Sequence, residues 1–292
     1  MGRLLLLHYG SQAALNDCFY PPKITRRPVA NLPDTEPYLL HAATTCAARR
    51  YPRAKGMIRN KILSLLPPSD LEAVLESAEL VTIETKQMVF ERDQPIRHVH
   101  FPEDSVISLV TELEDGDQVE AMTVGNDGFA ALAVFNGLSS SRLKAIVQIT
   151  GTSRKIAVAD FRQLMERPAL NRLLHRYMQL VLETVSQSAA CNRLHVIEER
   201  CARWLLMSQD RVGRNRFDLT QEFLAEMLGV RRPGVTVAMG ILEKAGLITH
   251  GRGYITVTDR AGLEKVSCEC YRTILQCQAK LLVADSVLRA VV

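Results

Sequence analysis

Hydrophobic and polar residues alternate with a period of two through the middle of the chain, which is typical of half-buried β-strands. The alternation predicts seven strands, at residues 80–85, 88–91, 97–101, 106–113, 118–124, 143–149 and 153–157. Turn residues lie between them, notably Asp115-Gly116 and the segment 125–128. Short strands at this spacing are typical of an antiparallel sandwich or small barrel, here described as a β-roll.

A helical period flanks the predicted strands on both sides. It predicts short helices at 58–66, at 70–78 with Ser69 as N-cap, and at 160–167, and a further helix at 197–209. From Pro168 the pattern predicts a helix of more than five turns with one apolar stripe, formed by Leu170, Leu173, Leu174, Tyr177, Val181, Val185 and Ala189. The stripe favours a helix–helix contact between two copies of the chain, and packing on the chain's own β-roll is the alternative.

Two further helices are predicted near the C-terminal end, with a tight turn between them. Thr220 can cap a helix over 221–228, and Gly229 follows it, as expected for a left-handed helix end. Arg231-Arg232-Pro233 then begins a second helix, because proline is tolerated in a first helical turn. A β-hairpin around residues 250–253 completes the pattern of a winged helix-turn-helix.

Length and charge divide the chain further. Its 292 residues predict about two domains with ordinary hydrophobic cores. Six prolines within residues 1–56 predict a flexible N-terminal extension. The patterns described above then predict a β-roll domain at 57–167, a dimerisation helix at 168–195, a winged helix-turn-helix at 196–265 and a helical extension at 266–292. Residues 65–127 hold 15 acidic and 3 basic side chains, so the β-roll is a poor candidate for nucleic-acid contact.

Few residues of the sequence form a recognisable motif for catalysis, metal binding or export. No serine–histidine–aspartate set, paired carboxylates or phosphate loop stands out, so no enzyme activity is expected. His98, His100 and Glu103 are similar to the metal motif of cupin enzymes but lack a third histidine, so no metal site is predicted there. The seven cysteines include no C-x-x-C pair, which predicts a reduced cytoplasmic protein. No apolar run approaches the roughly 20 residues that a membrane helix needs, so no membrane segment is expected. Cys268, Cys270 and Cys277 could sense redox state or bind a soft metal, although incidental thiols are commoner.

The segments 217–237 and 241–248, with the glycine-containing wing, resemble the Crp/Fnr family of bacterial transcription regulators. The order of a β-roll, a long helix and a winged helix agrees over about residues 57–265. The resemblance implies a homodimer that places two helices in successive major grooves of double-stranded DNA, with half-site centres about 34 Å apart. It also implies RNA polymerase as a partner.

The resemblance assigns DNA contacts by position in this sequence. Arg232 stands where the family has a base-reading arginine, while Pro233 and Val237 replace two other base-reading residues of cyclic-AMP-responsive members. Gln221 falls at a phosphate-contacting position, and Arg252 lies on the wing. Arg231 and Thr236 are further candidates at the exposed start of the same helix. The predicted DNA-binding set is Gln221, Arg231, Arg232, Pro233, Thr236 and Arg252.

The effector region departs from the family pattern. Cyclic-nucleotide-binding members hold the phosphate with a Gly-Glu turn and an Arg-Ser pair, whereas this chain lacks the glutamate and has a displaced arginine. The candidate effector pocket is therefore Gly125, Gly128, Arg142 and Lys144, with an unknown effector and no predicted cofactor. The N-terminal cysteine cluster of iron–sulfur members is also absent, since Cys18 and Cys46 stand alone.

These patterns predict an α+β protein with an N-terminal antiparallel β-roll of the cyclic-nucleotide-binding, jelly-roll type, a long dimerisation helix and a C-terminal winged helix. The expected function is sequence-specific DNA binding as a homodimeric transcriptional regulator, with the β-roll as sensor. The alternative is a β-roll cofactor- or metal-binding protein or enzyme with an accessory winged helix.

Overall fold

The structure is a computed structural model that describes residues 57–283. The predicted extension at 1–56 and the final residues 284–292 lie outside the described residues. The first part of the described chain forms, in order, α1 (Lys61–Ser64), α2 (Pro68–Ser77), β1 (Ala78–Ile83), β2 (Met88–Phe90), β3 (His98–Pro102), β4 (Val106–Glu112), β5 (Gln118–Val124), α3 (Leu132–Phe135), β6 (Lys144–Ile149), β7 (Gly151–Ala157) and α4 (Val158–Leu164).

The seven strands form two antiparallel sheets, ordered β1-β7-β3 and β2-β6-β4-β5. Buried side chains of both sheets, such as Phe101 and Val147, belong to one hydrophobic core. Phe101 stacks on Phe129 with ring centroids 5.5 Å apart, and Phe129 lies 6.0 Å from Phe161 of α4. All seven predicted strands are present, but their burial does not alternate strictly. β4 buries five consecutive side chains, because Ile107 and Leu109 belong to this core while Val106 and Val110 on its other face belong to a second one.

The helices before the sheets differ in detail from the prediction. Ser69 is not an N-cap, because α2 already begins at Pro68, a residue whose fixed φ suits the first helical turn. α1 is shorter than predicted and begins after Asn60, whose side-chain oxygen accepts a hydrogen bond from the Leu63 amide at 3.2 Å. The Asn60 amide group also donates to the carbonyls of Pro102 and Gly128, at 3.0 and 2.9 Å, so it ties the chain start to the 125–128 turn.

The long predicted helix is α5 (Pro168–Leu194), which spans 27 residues. Its predicted apolar stripe has two different environments. The first half, comprising Leu170, Leu173, Leu174 and Tyr177, is buried in the core of the chain's own β-roll. Farther along, Val185 and Ala189 are exposed, as is Leu182 beside them. The expectation that the whole stripe faces a second copy is therefore wrong for its first half, where the chain's own sheets supply the partner.

The rest of the described chain forms α6 (Ile197–Val212), β8 (Arg216–Asp218), α7 (Gln221–Leu228), α8 (Arg232–Lys244), β9 (Ile248–Gly251), β10 (Tyr254–Val257), α9 (Arg260–Val266) and α10 (Cys270–Leu281). The three strands pair antiparallel in the order β8-β10-β9. The helices α6 to α8 close a second hydrophobic core, and Val106, Val110 and Ile149 of the β-roll belong to it as well. The winged helix is therefore packed directly on the β-roll, and α10 lies along α5.

A buried ion pair reinforces this contact between the β-roll and α6. The Arg211 guanidinium donates to both carboxylate oxygens of Asp127, with N–O distances of 3.1 to 3.2 Å, and also to the Thr123 hydroxyl. The Asp127 carboxylate accepts further hydrogen bonds from the Gly125 amide at 3.1 Å and the Gln278 side chain at 2.6 Å. One carboxylate thus joins the 125–128 turn, α6 and α10.

Candidate nucleic-acid interface

The first helix of the interface, α7, has the ends that the sequence predicts. The Thr220 hydroxyl accepts a hydrogen bond from the Phe223 amide at 3.2 Å, which satisfies one of the free amides of the first turn. Gly229 ends the helix with φ of 61°, a left-handed conformation that glycine adopts without a Cβ penalty. Leu224, Ala225 and Leu228 are buried, so α7 is anchored by its inner face.

The second helix, α8, presents its first turn to solvent. Arg231 is its N-cap and Pro233 lies in the first turn, where the missing amide hydrogen costs nothing. Val235, Ala238, Met239 and Leu242 anchor the helix in the second core. On the opposite side, residues 231–233 and 236–237 are exposed, and Val237 keeps 60% of its accessible surface. An anchored helix with an exposed tip is the geometry required to enter a groove of DNA.

The tip of α8 is positively charged. No side-chain hydrogen bond or ion pair joins Arg231 or Arg232 to another residue of the described range 57–283. The Thr236 hydroxyl, one turn along, donates to the Gln221 side-chain oxygen at 2.8 Å and so connects α8 to the start of α7. Two uncommitted guanidinium groups beside a helix N-terminus favour an anionic partner.

The hairpin β9–β10 forms the wing. Its turn is Arg252-Gly253, where Gly253 has φ of 85° and the Arg252 side chain is exposed. The Arg216 guanidinium lies over the Tyr254 ring, 3.9 Å from the centroid, a cation–π contact that fastens β8 to the wing. The wing therefore adds a third exposed arginine to Arg231 and Arg232 of α8.

Residues 199–266 match the Crp-like helix-turn-helix domain. The matched segment runs from the first turn of α6 to the end of α9 and includes the wing. The sequence-predicted residues Gln221, Arg231, Arg232, Pro233 and Thr236 all lie in the Crp-like helix-turn-helix domain, at the start of its two central helices, and Arg252 lies on its wing.

Solved structures extend the likeness to the β-roll. A putative transcriptional regulator of the Crp/Fnr family from Eubacterium rectale has 15% identity and a TM-score of 0.53, covering 69% of this chain and 94% of its own. A Crp-family regulator from Thermus thermophilus has 19% identity and a TM-score of 0.55, covering 64% and 96%. The c-di-GMP-responsive global regulator CLP from Xanthomonas campestris has 14% identity and a TM-score of 0.52, covering 65% and 99%.

The chain thus has the fold of Crp/Fnr-family transcriptional regulators and carries a helix-turn-helix DNA-binding domain. This confirms the α+β class with an N-terminal β-sheet domain and a C-terminal helix-turn-helix. No curated protein matches the sequence. Over residues 57–283, no helix is both long and apolar enough to cross a membrane.

The four residues predicted to form an effector pocket do not converge. Gly125 and Gly128 lie in a buried turn, where a Cβ atom would overlap the side chains of Arg211 and Tyr177 respectively. Lys144 pairs with Val110 of β4, whereas Val124, next to the 125–128 turn, pairs with Ile107 of the same strand. Three residues of β4 separate these pairs, so Lys144 lies about 10 Å along the sheet from the turn.

The two basic residues of that group are also committed elsewhere. The Lys144 ammonium binds the Glu112 carboxylate. The exposed Arg142 binds Asp93 at 3.1 Å. The family resemblance suggested a shared pocket because these residues fall in the stretch that holds the phosphate in cyclic-nucleotide-binding members, but the sheet register separates Lys144 from the 125–128 turn.

A small cavity that the sequence did not reveal lies between β5, α5, α6 and α7. Among its lining residues are Glu120, Thr184, Arg203, Trp204 and Met227. Burial raises the pKa of Glu120 to about 7, although hydrogen bonds from Ser108 and the nearby arginines oppose the shift. The only sequence signal for this site is an acidic residue within a predicted strand, because its neighbours come from four separate elements.

The three residues of the histidine motif in the β-roll lie in different environments. His98 is exposed whereas His100 is buried, and burial lowers the His100 pKa to about 4. The Glu103 carboxylate binds the buried Arg154 guanidinium and accepts a hydrogen bond from the backbone amide of Asn60 at 2.8 Å. Glu103 is therefore a structural anchor for the start of α1.

Proposed function

We propose that the chain is a sequence-specific DNA-binding transcriptional regulator that acts as a homodimer, with the β-roll as its sensor domain. The observation that carries this proposal is the exposed first turn of α8, with Arg231 and Arg232 uncommitted within the described residues. The acidic β-roll has the wrong charge for a DNA surface, so the winged helix is the DNA-contacting part.

The roles of the arginines follow from their positions. Arg232 is the first residue of α8, and its guanidinium can donate two hydrogen bonds to guanine O6 and N7 in the major groove. Arg252, at the tip of the wing, and Gln221, at the start of α7, are placed on other elements and suit phosphate contacts. Base contacts give specificity, whereas phosphate contacts give affinity at any sequence.

The dimer proposal is supported by the second half of α5. Leu182, Val185 and Ala189 are exposed in the single chain and recur at intervals of three and four residues, so they lie on one face of the helix. Leu182 keeps 61% of its accessible surface, and a second copy with the same face would cover it. Two-fold symmetry would present two copies of α8 to successive major grooves. RNA polymerase is the further partner of such a regulator.

The reading residue is tested by DNA-binding measurements on the full chain with Arg232→Ala, Arg252→Ala and, as control, Arg162→Ala on α4 of the β-roll. We expect Arg232→Ala to weaken binding to the preferred site by about 1–3 kcal/mol and to relax base preference. Arg252→Ala should weaken binding to all sequences and reduce the salt dependence. If Arg232→Ala leaves the ratio of specific to nonspecific affinity unchanged, Arg232 does not contact bases as proposed.

Sedimentation tests the dimer. The double variant Leu182→Glu/Val185→Glu should shift the protein to monomers, because two buried charges on each chain would oppose the contact. Leu138→Glu is a matched control, since Leu138 is an exposed leucine of the β-roll with 59% of its surface accessible. A wild-type chain that sediments as a monomer at micromolar concentration would contradict the dimer and leave the DNA-binding assignment to its own test.

A further inference from the structure

Three cysteines and one histidine converge at the junction between α5 and the winged helix. Cys191 lies in the last turn of α5 and His195 is the residue that ends this helix. Cys268 lies between α9 and α10 and Cys270 is the first residue of α10, both more than 70 residues later in the chain. The three cysteines are buried and form a cluster of their own, apart from both hydrophobic cores.

The spacing of the donor atoms fits one tetrahedral ion. The Cys191 and Cys268 sulfurs are 3.5 Å apart, and the Cys270 sulfur lies 3.5 Å from His195 Nδ1. All four donor atoms lie within 4.8 Å of one another. Zinc bonds of about 2.3 Å to sulfur and about 2.0 Å to nitrogen give tetrahedral edges of about 3.8 Å between sulfurs and about 3.5 Å from sulfur to nitrogen.

Two side chains next to the cluster, Glu269 and Gln187, orient its donor atoms. The other ring nitrogen of His195, Nε2, lies 3.1 Å from the Glu269 carboxylate, so Nδ1 is the nitrogen that faces the sulfurs. The Gln187 side chain donates a hydrogen bond to the Cys270 sulfur at 3.0 Å. A carboxylate that accepts from the second nitrogen of a histidine is the usual support for a metal-bound imidazole.

We infer that Cys191, His195, Cys268 and Cys270 form a Cys₃His site for a soft divalent cation of the zinc type. Three thiolates and one imidazole select such an ion over Mg²⁺ and Ca²⁺, which require oxygen ligands. All four positions of the tetrahedron are filled by protein, so the site is structural rather than catalytic. Binding would release the thiol protons to solvent.

The position of the site gives it a mechanical role. The backbone leaves helical geometry at His195 with ψ of 148°, and Leu194 and Val196 on either side are exposed. This two-residue junction connects α5 to α6 and therefore to the winged helix. An ion bound by both the end of α5 and the start of α10 would fix the angle at which the winged helix leaves α5.

Cobalt titration of the reduced, metal-free full chain tests the site. We expect one equivalent of Co²⁺ to produce thiolate-to-cobalt charge-transfer absorption and the intense d–d bands of a tetrahedral complex, and Zn²⁺ to displace it. The double variant Cys268→Ser/Cys270→Ser should lose the charge-transfer absorption. The double variant Cys201→Ser/Cys277→Ser is the matched control and should keep it, because both of these cysteines lie outside the cluster.

A second variant avoids any change to the buried cluster. Glu269 is exposed on the surface, so Glu269→Ala should fold normally and bind Co²⁺ about 10–100-fold more weakly. The control variant Glu264→Ala should fold normally and keep the wild-type affinity for Co²⁺. Unchanged affinity in Glu269→Ala would overturn the assignment of His195 as a ligand. Absence of charge-transfer absorption in the intact chain, or a Cys191–Cys268 disulfide with no Co²⁺ binding after reduction, would overturn the metal site.

Discussion

Replacing Arg211 tests how the β-roll and the winged helix are held together. The side chains of Arg211 and Asp127 are only 5% and 6% exposed, and the pair connects α6 to the buried 125–128 turn. In Arg211→Met the apolar part of the side chain is retained while the positive charge is lost. The Asp127 carboxylate would then remain buried with an uncompensated charge.

The expected cost follows from what Asp127 retains. Breaking a buried ion pair from one side costs about 3–5 kcal/mol. The Asp127 carboxylate keeps its hydrogen bonds from the Gly125 amide and the Gln278 side chain, so we expect a loss near the lower limit, about 3 kcal/mol. Burial raises the Asp127 pKa, but the charge of Arg211 outweighs burial and holds that pKa below its usual value. The wild type should therefore lose stability as the pH falls through the Asp127 pKa, and Arg211→Met should not.

Urea denaturation at pH 7 measures this cost directly. Arg142→Met is the matched control, because Arg142 also pairs with an aspartate of the β-roll but is 77% exposed, and an exposed pair contributes less than about 1 kcal/mol. The double variant Arg211→Met/Asp127→Leu should be less destabilised than the sum of its single variants, since no charge is then left buried. Equal losses in Arg211→Met and Arg142→Met would refute the reasoning.

Two further predictions concern the β-roll and its neighbours. The Glu120 pKa is about 7 in the folded protein and ordinary in the unfolded chain, so the free energy of unfolding should fall by about 1–3 kcal/mol as the pH rises from about 4.5 to about 7. Urea midpoints at several pH values measure this slope, and Glu120→Gln should remove it. Gly128→Ala should cost about 1–3 kcal/mol because its Cβ would overlap Tyr177, whereas Gly240→Ala, in open space within α8, should stabilise by about 0.5–1 kcal/mol; equal effects in thermal melts would contradict this.

The elements that could be predicted from the sequence are those whose pattern is local. Thr220, Gly229 and Pro233 fixed the ends of α7 and α8 because caps, left-handed glycines and first-turn prolines act within one helical turn. The seven strands of the β-roll were found for the same reason, since alternation needs only neighbours in sequence. The short elements α3 and β8 were missed because three or four residues carry too little periodicity.

The features that escaped the sequence depend on contacts between distant segments. Nothing local distinguishes Leu173, which packs on the β-roll, from Leu182, which is exposed on the same helix. Cys268 and Cys270 were noted with Cys277, but their partners are Cys191 and His195, which α10 reaches by lying along α5. Cys277 lies instead beside Glu183, whose hydrogen bond raises the pKa of its thiol.

The contact between the β-roll and the winged helix constrains how a signal in the β-roll could reach DNA. Val106, Val110 and Ile149 share a core with α6 to α8, so α8 cannot change its orientation unless this contact slides or opens. The Arg211–Asp127 pair resists opening on the side of β5, and the cysteine–histidine cluster lies at the two-residue junction between α5 and α6. A ligand in the cavity beside Glu120 would touch β5, α5, α6 and α7 at once, and only a difference in its affinity for two arrangements of these elements could shift the winged helix.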